Sequence, residues 1–102
     1  PSKPQGPQIH LLSGDLATGD FRALIKAPVG FKTPLHMHAA HYAGASIRGT
    51  MQKNGGAGLP PGSVWTQAGN EAHSNACLSD SPCIFFVAMD GAFSMTPVKK
   101  AE

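Results

Sequence analysis

Charge is scarce in this chain. Only 14% of its 102 residues are Asp, Glu, Lys or Arg, 6 acidic and 8 basic, for a formal net charge of +2; an ordinary globular domain carries about 25%. The basic residues (Lys3, Arg22, Lys26, Lys32, Arg48, Lys53, Lys99, Lys100) form no run or stripe, so the electrostatic footprint of a nucleic-acid binder is missing. Long apolar runs are missing too. The most apolar stretch, CIFFVAM at 83–89, is far shorter than the ~20 residues a membrane helix needs. There is no G-x-S-x-G, no glycine loop for phosphate and no pair of carboxylates; Asp15 and Asp20 sit in a turn-rich stretch. Cysteine is limited to Cys77 and Cys83, which flank LSDSP. Both a cross-strand disulfide and two buried thiols fit that spacing. A disulfide, together with the low charge, leans towards a periplasmic or secreted setting. No basic residue adjoins Cys77 to activate it as a nucleophile.

What is present reads as one domain. Residues 1–8, PSKPQGPQ, read as a flexible arm. Such a start fits a processed exported chain as well as a trimmed one. Residues 9–98 form the domain, and KKAE at 99–102 is a solvated tail. Within the domain, IHLL (9–12) is a short edge strand and SGDLATGD (13–20) a turn. FRALIKA (21–27) alternates, with Phe21, Ala23, Ile25 and Ala27 on one face and Arg22 and Lys26 on the other. HMH and AGASIRGTMQ follow as two strands or one bent strand, then turns at Asn54-Gly55-Gly56 and at GLPPG (58–62). SVWTQ (63–67), HSNACLS (73–79) and CIFFVAM are strands, the last buried on both faces, and AFSMTPV pairs back after an Asp90-Gly91 turn. About eight short strands with turns every 8–12 residues indicate an all-β sandwich or barrel.

The stretch from Gly30 to Gly49 organises the chemistry. It holds three of the five histidines: His36, His38 and His41. On a strand, His36 and His38 at i and i+2 point the same way, and two parallel imidazoles are half of a metal site. Tyr42 shares their parity and His41 does not. His10 and His41 read as surface or hydrogen-bonded residues, although a bulge would turn His41 inward. Trp65 and Gln67 read as packing, and Glu71 as a solvated turn residue two positions before His73. Met37, Met51, Met89 and Met95 read as core filler rather than copper ligands.

The spacing resembles the two signature motifs of the cupin superfamily. Gly30-x5-His36-x-His38-x3-Tyr42-x6-Gly49 is similar to the first, with Tyr where that motif has Glu. Gly62-x5-Ala68-x-Asn70-x2-His73-x3-Cys77 is similar to the second, with Ala68, Asn70 and Cys77 where it has Pro, Gly and Asn. The resemblance covers residues 30–77, about half the chain. It implies a double-stranded β-helix, or jelly-roll, barrel in which His36, His38 and His73 meet on one divalent transition metal. Three neutral imidazoles without a carboxylate resemble the iron site of acetylacetone-dioxygenase-like cupins. They accept Fe(II), Zn, Cu or Ni alike. Two functions follow. One is a mononuclear non-haem oxygenase acting on a small enolisable or dicarbonyl-like substrate, with Tyr42 as the catalytic side chain. The other is a non-catalytic cupin module, a sensor or carrier, resembling the cupin halves of zinc-binding anti-sigma factors. An apolar outer face at CIFFVAM or at the N-terminal strand favours a homodimer.

Overall fold

A computed structural model describes residues 6–97. It contains ten strands and, among the described residues, no helix. They are β1 (Gln8–Gly14), β2 (Phe21–Ala27), β3 (His36–Met37), β4 (Tyr42–Arg48), β5 (Met51–Lys53), β6 (Gly58–Leu59), β7 (Val64–Gln67), β8 (Asn75–Cys77), β9 (Cys83–Met89) and β10 (Thr96–Pro97). Residues 1–5 of the expected arm and 99–102 of the expected tail lie outside the described residues.

The larger sheet runs β1-β2-β9-β4-β7 and is antiparallel at every step. The second layer is built from β6-β5-β8 and β10-β3. Two isolated bridges, Lys32 with Ala76 and His36 with His73, join those pieces. Binary patterning sets the inner face. Phe21 pairs with Met89, Met89 with Tyr42, and Tyr42 with Gln67. The next inner row is Ala23, Val87, Gly44 and Trp65. All of these side chains except the glycine's belong to the buried set, which Cys83 extends along β9 and Met51 and Cys77 meet from the opposite layer.

Several expectations change in detail. The edge strand is longer than IHLL: it starts at Gln8 and reaches Gly14, with a bulge between Leu11 and Ser13. A bulge at a sheet edge discourages pairing with another chain. GLPPG is not wholly a turn, since Gly58–Leu59 pairs with β5. Of AFSMTPV, Thr96–Pro97 returns to β3 rather than to its neighbour β9, and Val98 lies outside the described residues. CIFFVAM is not buried on both faces. Cys83, Val87 and Met89 are buried, whereas Ile84, Phe86 and Ala88 are half-buried, because the second layer covers only the inner face. The outer face carries an unbroken row, His10–Leu24–Phe86–Ala45–Val64, across all five strands.

Cys77 and Cys83 form a disulfide with Cα atoms 5.9 Å apart. It ties the end of β8 to the start of β9, and so one layer to the other. Closing a loop this short restricts the unfolded chain by about 2 kcal/mol. A Cys77→Ser/Cys83→Ser variant is therefore expected to melt roughly 10 °C below the oxidised parent. Thermal denaturation with and without reductant checks this; equal Tm values for the parent under both conditions contradict it.

Candidate metal centre

The three histidines are brought together by antiparallel pairing. The His36 N–H donates to the His73 carbonyl at 2.9 Å and the His73 N–H to the His36 carbonyl at 2.8 Å. Two residues that exchange both backbone bonds stand directly opposite, with side chains on one face. His38, two residues beyond His36, adds its ring to that face. The ring centroids are 4.3 Å apart for His36 and His73, 4.9 Å for His36 and His38, and 5.1 Å for His38 and His73. Their converging ring nitrogens lie within 4.8 Å of one another, and all three residues are buried.

The outward nitrogens fix the tautomers. His36 Nδ1 lies 2.8 Å from the Pro34 carbonyl, His38 Nδ1 meets the Ser94 carbonyl, and His73 Nδ1 is 3.4 Å from the Glu71 carbonyl. A carbonyl only accepts, so each Nδ1 carries the proton and each Nε2 lone pair is left for the interior. This is the outer-shell arrangement that orients imidazole ligands on an ion. Burial pushes the His73 imidazole down to about 4, against the pull of the Glu71 carbonyl and with help from His36 and His38. Burial also lowers His38, opposed by the Ser94 carbonyl. Both rings are thus held neutral at pH 7, the state a metal requires. The donor set fits a borderline divalent transition ion.

His36 and His38 line a cavity of about 290 Å³, with His73 buried behind them. Ile25, Phe31, Phe85, Val87 and Phe93 supply apolar wall; Thr33, Tyr42 and Asn75 supply neutral polar groups, and Lys32 is the one charged lining residue among the described residues. Lys32 is exposed. Tyr42 faces this space, its hydroxyl 3.5 Å from His73 Nε2. Burial raises the phenol above its ordinary range, and the Trp65 and Asn75 side chains pull it partly back. His41 stands outside the cluster: it is exposed and its Nδ1 accepts from the Gly69 N–H at 2.9 Å. His10 is exposed on the outer sheet face.

No curated protein matches the chain. A family model described as a domain of unknown function, DUF4437, matches residues 3–101. The chain belongs to the DUF4437 family. Among solved structures it is similar to the polyketide cyclase RemF of Streptomyces resistomycificus, at 17% identity over 96% of this chain and 75% of that one, with a TM-score of 0.77. It is also similar to an uncharacterized double-stranded β-helix protein of Klebsiella pneumoniae, at 15% identity over 98% and 85% of the two chains, TM-score 0.77. A third is a cupin-like protein of unknown function from Ralstonia eutropha, at 17% identity, TM-score 0.74; the match covers 90% of this chain and only 65% of that protein. These likenesses establish the cupin fold for the DUF4437 chain.

Within that fold the departures from the cupin motifs have local explanations. Asn70 stands where the second motif has glycine and keeps a left-handed backbone, φ 60°; asparagine tolerates this better than other residues with a side chain. Cys77, in place of asparagine, is in the disulfide. The Glu71 backbone carbonyl meets His73, while its carboxylate accepts from Gln67 Nε2 at 3.2 Å. Sequence reasoning missed Asn75, Pro34 and Ser94. Asn75 was findable, since it shares parity with His73; the carbonyl of Ser94, 56 residues from His38, had no local signal.

Proposed function

We propose that the DUF4437 chain binds one divalent transition ion through His36, His38 and His73 and presents it to a small oxygen-bearing organic ligand, as an oxygenase-type enzyme for enolisable or dicarbonyl-like compounds. The observation that carries this reading is the set of three buried imidazoles, each Nδ1 turned to a carbonyl, two of which, His36 and His38, line a mostly apolar cavity. Three neutral ligands leave the ion its full charge, so the group supplies Lewis acidity towards an oxygen ligand. The apolar walls exclude water and bind the carbon skeleton. The Tyr42 hydroxyl donates a hydrogen bond to the ligand's oxygen. About 290 Å³ limits that ligand to a small molecule.

The experiment is elemental analysis of protein purified without chelator, followed by dioxygen uptake with pentane-2,4-dione. About one iron per chain and substrate-dependent uptake support the enzyme. Zinc or copper without turnover favours the sensor or carrier, for which the nearness of Tyr42 to His73 Nε2 is the specific support, since a phenolate ligand would close the shell. Absence of any bound metal after reconstitution rejects both.

The same proposal includes a homodimer formed through the outer sheet face, where Leu24, Ala45, Val64 and Phe86 make a continuous apolar row and Val64 is 71% exposed. Light scattering should give twice the chain mass, and Phe86→Lys should give the monomer mass; a monomeric parent contradicts it. The disulfide supports a periplasmic or secreted setting.

A further inference from the structure

Four of the chain's five phenylalanines, Phe21, Phe31, Phe85 and Phe93, line the cavity that His36 and His38 border. Their placement follows from the strands. Phe21 opens β2 in register with Met89 and so with Tyr42, and Phe85 shares the inward parity of Val87 and Met89 on β9. The Phe31 carbonyl accepts from the Cys77 N–H at 2.9 Å, and the Phe93 N–H donates to the Leu16 carbonyl at 2.8 Å. The Phe93 ring joins the phenyl wall to the imidazoles: its centroid is 6.4 Å from Phe21, edge to face, and 5.8 Å from His38. Yet Phe93 is 43% exposed, as are its fellow lining residues Ile9 at 43% and Met95 at 44%. Large apolar side chains grouped on an open cavity wall mark a binding surface.

One charge interrupts that wall. Lys32 is exposed and lines the same cavity. Its backbone is fixed by the bridge to Ala76 and by the Thr33 N–H, which donates to the Asn75 carbonyl at 2.9 Å. A lysine stem lies along apolar surface and keeps its ammonium in water, so the charge stands at the mouth. Among the described residues no acidic side chain lines the cavity to neutralise it. Lys32 and His36 are four residues apart, a span of at most about 14 Å, and both border the same space.

We infer that the cavity selects an aromatic monocarboxylate, with its ring among the four phenylalanines, its carboxylate on the Lys32 ammonium at the mouth and an oxygen function at the other end facing His36 and His38. The phenyl walls choose a flat ring over an alkyl chain, because aromatic pairs gain from offset and edge contacts beyond the area they bury. Lys32 chooses the sign of the charge. A rim pair of this kind adds little affinity in water, but it discriminates against neutral and cationic analogues and steers the anion in. Lys32 is therefore a specificity residue of this cavity. That the oxygen end meets a metal ion rests on the proposal above; the selection of ring and charge does not.

The test titrates the chelator-treated full chain at pH 7.5 with 4-acetylbenzoate, its neutral analogue 4-acetylbenzamide and octanoate, followed by 1H–15N correlation spectra. The parent should bind the aromatic acid roughly three- to fivefold more tightly than the amide, and salt should erase that margin. Lys32→Gln should bring the two to within about twofold. Lys26→Gln, exposed on the outer sheet face, should keep the parent's preference. Phe93→Leu should weaken the aromatic acid by roughly threefold and leave octanoate unchanged. No preference in the parent, or a preference that survives Lys32→Gln, overturns the role of Lys32. Octanoate bound as tightly as the aromatic acid overturns the choice of a ring. Both Lys32 and Phe93 are substantially exposed, so neither substitution removes a buried core contact. Cobalt uptake is measured separately. A chain that takes no cobalt yet keeps the preference rejects the metal proposal and leaves this one standing; a chain that takes cobalt without the preference does the reverse.

Discussion

His73→Ala is expected to remove bound metal from about one ion per chain to a trace, with affinity falling at least about a hundredfold. Losing an outer partner of a ligand already costs 10–100-fold, and His73 is itself a proposed ligand. The same result is expected of His36→Ala, because the two residues are a directly opposed pair whose rings lie 4.3 Å apart. His41→Ala and His10→Ala serve as controls. Both residues are exposed and outside the cluster, so both variants should keep the parent's metal content. Elemental analysis after gel filtration reads all four variants, and circular dichroism confirms that each retains its strands. Metal retained by His73→Ala, or lost equally by His41→Ala, would place the ion somewhere other than this cluster. A weaker effect is expected of Ser94. Its carbonyl, a backbone group, orients His38 whatever its side chain, and its hydroxyl only accepts from the Ala39 N–H at 3.0 Å. Ser94→Ala should cost metal affinity only through loosening of that loop.

The sequence made the centre of this site legible for a physical reason. A strand has period two, so His36-x-His38 declares a shared face, and Tyr42 keeps that parity even though the strand breaks between Met37 and Tyr42. FRALIKA was legible for the same reason, as its buried and exposed positions follow the alternation. The illegible parts are those set by long-range pairing. Nothing near Thr96 says that it will pair with Met37, yet that pairing brings Ser94 to His38. Nothing near Cys77 decides between thiol and disulfide until β8 and β9 are brought together. The outer face of β9 was misjudged because an unbroken apolar run does not say whether a second layer exists to cover it. Gly44 reads in sequence only as a weak residue in a strand; its reason, the indole lying across it, comes from the opposite strand.

Acid should destabilise the metal-free protein through these same histidines. Folded His73 is held down at about 4, and burial lowers His38 as well; in the unfolded chain both titrate near ~6.5. Between those values the unfolded chain binds protons that the folded chain refuses, so stability falls as pH falls. The contribution is fully present above about 6.5 and, for His73, fully lost near 4. The shift of His73 alone, discounted for solvent in the cavity, corresponds to on the order of 2 kcal/mol, and His38 adds loss of the same sign. Chelator-treated protein is therefore expected to melt roughly 10 °C lower at pH 4.5 than at pH 7.5. His73→Gln, which cannot titrate, should flatten most of that slope. Metal-loaded protein should start higher at pH 7.5 and fall more steeply, because a bound ion needs the Nε2 lone pairs that protons compete for. A flat profile for the metal-free parent, or a slope unchanged in His73→Gln, would show that these imidazoles are not the neutral, desolvated groups the fold makes of them.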